Sequence, residues 1–166
     1  MLSEFPGQDT CVENSRQAAR LRKARVGGVL IHCNIVFRRM STESAITLLV
    51  IDDHVGVRQT VITLVSSEFP HWRVLEAGCA EDALILCDSE QPDLIVLDIK
   101  LPGMDGFEAT RRIKASWPRM VVVMHSSSDM PVYQHASLAA GAAAFVGKGR
   151  NSRTLVPLIA SLLAGH

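Results

Sequence analysis

The sequence predicts an α/β fold with a doubly wound parallel sheet, and three observations point to it. Short runs that are apolar throughout, among them "ITLLVID", "DLIVLD" and "MVVVMH", recur between residues 45 and 166. Stretches with apolar residues at helical spacing separate them. Strands apolar on both faces need cover on both sides, which helices flanking a parallel sheet provide.

The elements follow in order. "ITLLVID" (46–52) is a β-branched, apolar first strand, and "VRQTVITLVSSEF" (57–69) sets Val57, Val61, Ile62, Leu64 and Val65 at helical spacing. "WRVLEA" (72–77) reads as a strand and "AEDALILCDSEQ" (80–91) as a helix. "DLIVLD" (93–98) is the third strand, followed by the helix "GFEATRRIKASW" (106–117), which ends before Pro118. "MVVVMH" (120–125) is a strand, and "PVYQHASLAAG" (131–141) a helix with Gly141 as its stop. "AAAFVG" (142–147) and "SRTLVPLIASLLAG" (152–165) complete five β-α units.

The chain has 166 residues, 48% apolar and 20% charged, with no net charge, which suits one soluble core and excludes disorder throughout. Cys11, Cys33, Cys79 and Cys87 form no C-x-x-C pair and no zinc spacing, so a reduced, cytoplasmic compartment is expected. The apolar run "VGGVLIHCNIVF" (26–37) contains His and Asn, is too short to span a bilayer and lacks a small-residue cleavage site. No membrane location is expected.

Neutrality hides an asymmetry. Residues 1–39 carry seven Lys or Arg against three acids, a net of +4, while residues 40–166 carry ten against fourteen, a net of −4. The arm has no heptad, repeat or aromatic interleaving, so direct DNA binding is not expected of it. We read 1–44 as a basic, disordered extension, with Met40 a candidate true start, and 45–166 as the folded domain.

In doubly wound sheets ligands bind beyond the C-terminal ends of the strands. Asp52 and Asp53 follow the first strand, Asp98 the third, His125 to Ser128 the fourth, and Lys148 the fifth. Converging carboxylates repel, at roughly 4 kcal/mol for two unit charges 4 Å apart in an effective dielectric near 20, so a cation is expected. Oxygen donors with open positions suit Mg²⁺ or Mn²⁺. Lys148 adds a phosphate-binding charge, Ser126 a hydroxyl, and Asp98 a candidate carboxylate nucleophile for phosphoryl transfer. Read singly, Asp52 or Asp53 could cap a helix, Asp98 a turn, and Ser126 and Lys148 could be ordinary surface groups; four such coincidences at one sheet edge are improbable. His125 reads as packed or hydrogen-bonded, with no catalytic role.

Together "LLVIDDH", "DLIVLDIKLPGMDG", Ser126 and "GAAAFVGK" resemble the receiver domain of two-component response regulators. The spacings resemble the family too: Asp98 lies 45 residues after Asp53, Ser126 28 after Asp98, and Lys148 22 after Ser126. The resemblance covers 45–166 and implies a flavodoxin-like, five-stranded parallel sheet of order 2-1-3-4-5 with five helices. It further implies that a histidine kinase or phosphotransfer protein passes a phosphoryl group to Asp98. Asp53 would ligate Mg²⁺ (or Mn²⁺) directly, Asp52 mainly through water, and Lys100 by its backbone carbonyl. Ser126 and Lys148 would bind phosphoryl oxygens, and Ser126 and Phe145 would form the switch that changes the surface of the fourth helix, fifth strand and fifth helix, a candidate homodimer face. The chain would then be a phosphoacceptor switch, not an enzyme beyond its own phosphorylation and autodephosphorylation.

Three departures from the family stand out. Gly149 replaces the proline common after the lysine, which predicts a looser, less firmly aimed Lys148; Ser127 stands where alanine is common; and Lys100 puts a cation at the rim. Few residues follow Lys148, so the expected output is a separate protein or a lost domain; "DDH" also resembles receivers that precede LuxR-type DNA-binding domains. The alternative is a phosphorylation-independent pseudo-receiver that binds a partner protein. A haloacid dehalogenase-type hydrolase usually needs an aspartate where Lys100 stands.

Overall fold

A computed structural model describes residues 22–26, 29–33, 46–128, 130–149 and 152–164. Two short strands, β1 (Arg22–Val26) and β2 (Val29–Cys33), pair antiparallel. They lie within the segment expected to be an extension, the remainder of which is outside the described residues.

The five predicted β-α units follow: β3 (Thr47–Ile51), α1 (Val55–Glu68), β4 (Arg73–Ala77), α2 (Ala80–Glu90), β5 (Leu94–Leu97), α3 (Gly106–Ser116), β6 (Val121–Ser126), α4 (Pro131–Ala139), β7 (Ala144–Gly147) and α5 (Ser152–Ala164). The sheet runs β4-β3-β5-β6-β7, all parallel, which is 2-1-3-4-5 counted from its own first strand. The flavodoxin-like expectation therefore holds, and β3 and β5 lie side by side at the point where strand order reverses.

Strand parity builds two core layers. On β5, Leu94 and Val96 join Val61 and Val65 of α1 and Leu155, Leu158 and Ile159 of α5. Ile95 and Leu97 point the other way, into the layer of Ala83 and Cys87 from α2 and Ala109 and Ile113 from α3. All four β5 residues are buried, which explains why the run reads as continuously apolar. Each large aliphatic side chain buried this way contributes about 1.5–3 kcal/mol.

Local signals set the helix ends near the site. Asp105 Oδ1 accepts from Glu108 N at 2.8 Å and caps α3. Pro131 occupies the first turn of α4, and Gly141, at φ 102°, follows that helix in a conformation that favours glycine. Gly106 has a different reason: a Cβ there would collide with the Asp98 carbonyl oxygen and lie 2.8 Å from Ile99 Cα. Gly106→Ala is expected to cost about 1–3 kcal/mol by overpacking, read as a lower urea midpoint.

Candidate functional site

The backbone ladder fixes the residues at the strand ends. Asp52 N donates to Ala77 O (3.2 Å), Asp98 N to Ile51 O (2.8 Å) and Lys148 N to Ser126 O (2.6 Å). Three elements separated in sequence thus deliver their side chains to one edge.

At that edge Lys148 Nζ lies 2.6 Å from Asp52 Oδ2 and 2.7 Å from Asp98 Oδ2. Asp52 and Asp98 are 3% and 4% exposed, so one ammonium group bridges two carboxylates in a nearly dry setting and leaves one negative charge uncompensated. Asp98 Oδ1 accepts from Ile99 N at 2.7 Å. Burial raises the Asp98 pKa above the ordinary carboxylate value; the Lys148 hydrogen bond and charge oppose that rise, and the Asp52 charge adds to it. With Gly149 as the following residue, Lys148 still makes its main-chain bond to Ser126 and meets both carboxylates.

Asp53 is exposed and turns to its neighbour, with Oδ1 2.7 Å from His54 Nδ1. Asp52 Oδ1 accepts from His54 N at 2.9 Å. Asp52, Asp53 and His54 offer donor atoms within 4.8 Å of one another, so the residues present fit a divalent cation. Ser126 is fully buried, and its Oγ accepts from Ser128 N at 3.3 Å. Phe145 is buried in the α2/α3 layer, and the Lys100 side chain is exposed.

Two neighbours escaped the sequence reading. Arg58 donates from its guanidinium to the Asp52 carbonyl (2.7 Å) and from Nε to Glu76 Oε2 (2.7 Å), tying the start of α1 to β4 under the acidic turn. Its only signal in the sequence is an arginine near the start of the first helical stretch. His54 was visible in "DDH", but its hold on the Asp53 carboxylate was not.

His125 is 4% exposed, and its Nε2 has no hydrogen-bond partner among the described residues. Burial, helped by the Lys148 charge, pushes its pKa down from 6.5 to about 4. The unfolded chain therefore protonates first as pH falls. The stability this group confers is complete above pH 6.5 and is lost progressively down to about pH 4. The expected loss across that window is about 3 kcal/mol. Urea melts at several pH values check it, because His125→Leu removes this part of the slope.

The profile of the response regulator receiver domain family matches residues 48–160. Response regulator GacA of Pseudomonas aeruginosa is 36% identical over 122 residues, covering 73% of this chain and 56% of that protein. The chain thus spans about half the length of the curated relatives it matches. Among solved structures, a LuxR-family two-component response regulator from Aurantimonas aligns with a TM-score of 0.69 and 31% identity, over 74% of this chain and 88% of that one. The chemotaxis response regulator CheY4 of Vibrio cholerae shares the fold, with a TM-score of 0.65 and 22% identity over 72% of this chain and 99% of that one.

Proposed function

We propose that this chain, which belongs to the response regulator receiver family, works as a phosphorylation-driven switch with Asp98 as its acceptor. The observation that carries the reading is the Lys148 ammonium held between the buried Asp52 and Asp98 carboxylates. Asp98 Oδ2 attacks the phosphorus of a donor phosphohistidine; the P–O bond forms as the P–N bond breaks, and the freed imidazole takes up a proton. The transfer asks for alignment and charge neutralisation more than covalent assistance. Lys148 supplies one positive charge to the incoming phosphoryl oxygens, and Ser126 supplies a hydroxyl donor.

Asp53, Asp98 and the Lys100 carbonyl would hold Mg²⁺ (or Mn²⁺), with Asp52 acting through water. When bound, the cation neutralises charge that Lys148 alone cannot cover. Ser126 moving toward the phosphoryl group, with Phe145 adjusting behind it, would bias the surface of α4, β7 and α5 toward a partner or a second copy. Partners of this kind are a sensor kinase or phosphotransfer protein upstream and an output protein or output domain downstream. Among the described residues no helix is long and apolar enough to cross a membrane; a cytoplasmic site of action is part of the proposal. The pseudo-receiver reading has less support, because Lys148 is well seated despite Gly149.

Beryllofluoride with Mg²⁺, a phosphoryl mimic, tests the reading. Amide NMR shifts at Ser126, Phe145, Lys148 and along α4 are expected only when both are present. A spectrum unchanged by the pair would instead favour the phosphorylation-independent binding module.

A further inference from the structure

Four contacts hold Asp52. Its N–H donates to Ala77 O on β4 at 3.2 Å, its Oδ1 accepts from His54 N at 2.9 Å, and its Oδ2 lies 2.6 Å from Lys148 Nζ. The fourth is on the carbonyl oxygen, which accepts from the Arg58 guanidinium at 2.7 Å. Arg58 is itself anchored, since its Nε donates to Glu76 Oε2 at 2.7 Å and only 14% of its side chain is exposed. One planar guanidinium therefore clips the acidic turn to β4. The carbonyl of Asp52 and the N–H of Asp53 belong to one rigid peptide unit, so fixing the first fixes where the Asp53 side chain starts.

We propose that Arg58 is a positioning residue for the divalent cation: by clamping the Asp52–Asp53 peptide to β4, it orders the acidic turn before the ion arrives. This rests on the metal-assisted reading of the site. Charge alone argues the other way. A guanidinium beside the turn repels an incoming cation, and Asp52 and Asp98 already share the Lys148 ammonium. The clamp helps only if the order it imposes outweighs that repulsion. Without it, the ion would have to order an exposed turn, in which the Asp53 carboxylate otherwise meets His54 Nδ1 at 2.7 Å. Fixing ligands in advance removes that ordering cost from the binding step. Loss of the guanidinium strands no buried charge, because Glu76 is exposed and keeps Gln59 Nε2 at 3.0 Å.

The sign of one effect decides between the two. Mg²⁺ titrations of the full chain without any phosphoryl donor, read by amide NMR shifts, give the affinities of wild type, Arg58→Met and Arg58→Lys. Arg58→Met removes both charge and clamp, and binding is expected to weaken about tenfold, the worth of one hydrogen bond to a charged group. Electrostatics without positioning would tighten it. Arg58→Lys keeps the charge but not the planar fork, so a smaller loss in the same direction is expected. In metal-free buffer the His54 amide, bonded to Asp52 Oδ1, should exchange faster in Arg58→Met while the amides of β5 stay protected. A merely structural arginine would leave the Mg²⁺ affinity of the folded protein unchanged. Affinity equal to or tighter than wild type in Arg58→Met overturns the proposal, as does unaltered exchange at His54. Wild-type affinity in Arg58→Lys also overturns it, and that variant carries the test if Arg58→Met does not fold. Wild type that takes up no Mg²⁺ overturns the metal-assisted reading and the proposal with it, an outcome distinct from a failure of Arg58 alone.

Discussion

Asp98→Asn is expected to abolish phosphoryl uptake from acetyl phosphate and, in metal-free buffer at pH 7, to make the fold more stable by about 1 kcal/mol. Both effects have one cause. Asp98 is a carboxylate kept where burial disfavours its charge, so its pKa in the fold lies above the ordinary value. The folded state then binds a proton more tightly than the unfolded chain. Stability falls as pH rises from the ordinary carboxylate range through the raised value, and the full penalty persists above it. Removing the charge lifts that penalty, and the gain over wild type should shrink as pH is lowered toward 4. Paired thermal melts at pH 7 and pH 4 read the difference. Equal stability at both would mean that Asp98 is not held at a cost.

Lys148→Met should act in the opposite sense and more strongly. Asp52 and Asp98 would remain buried with no cation between them, and breaking a buried pair in this way typically costs about 3–5 kcal/mol. Lowering the pH should recover part of the loss, because the stranded carboxylates can then protonate. Adding Mg²⁺ should recover part of it at pH 7, because a ligand that binds only the folded state stabilises that state. Urea midpoints with and without Mg²⁺ check both statements. A variant as stable as wild type at pH 7 would remove Lys148 from the centre of the site.

The fold was legible because this sheet is buried on both faces. "DLIVLD" cannot alternate when α1 and α5 cover Leu94 and Val96 while α2 and α3 cover Ile95 and Leu97, and Pro118 and Gly141 punctuate the ends in the expected way. Boundaries slipped by up to two residues: α1 begins at Val55, ahead of the predicted Val57, across an exposed valine and a glycine, α4 ends at Ala139 rather than Gly141, and β7 begins at Ala144 rather than Ala142. The site was legible as positions along the chain, since residues that follow parallel strands must share an edge.

Side-chain direction was not legible. Nothing in "GAAAFVGK" says that Lys148 divides itself between Asp52 and Asp98, and Gly149 argued for the reverse. The grip of Arg58 on the Asp52 carbonyl joins a helix to a strand end through a main-chain atom, which no spacing of residue types encodes. His125, which the sequence reads as packed or hydrogen-bonded, is packed, and its Nε2 has no hydrogen-bond partner among the described residues. Strand parity puts the ring in the α1/α5 layer.

The central claim is that Asp98 accepts a phosphoryl group with the help of a divalent cation. Intact-mass spectrometry after incubation with acetyl phosphate, followed by peptide mapping, tests it most directly. The account predicts a single phosphoryl adduct on the peptide containing Asp98, formed with Mg²⁺ and absent when the metal is chelated. No adduct under either condition, or one that persists in Asp98→Asn, would contradict it.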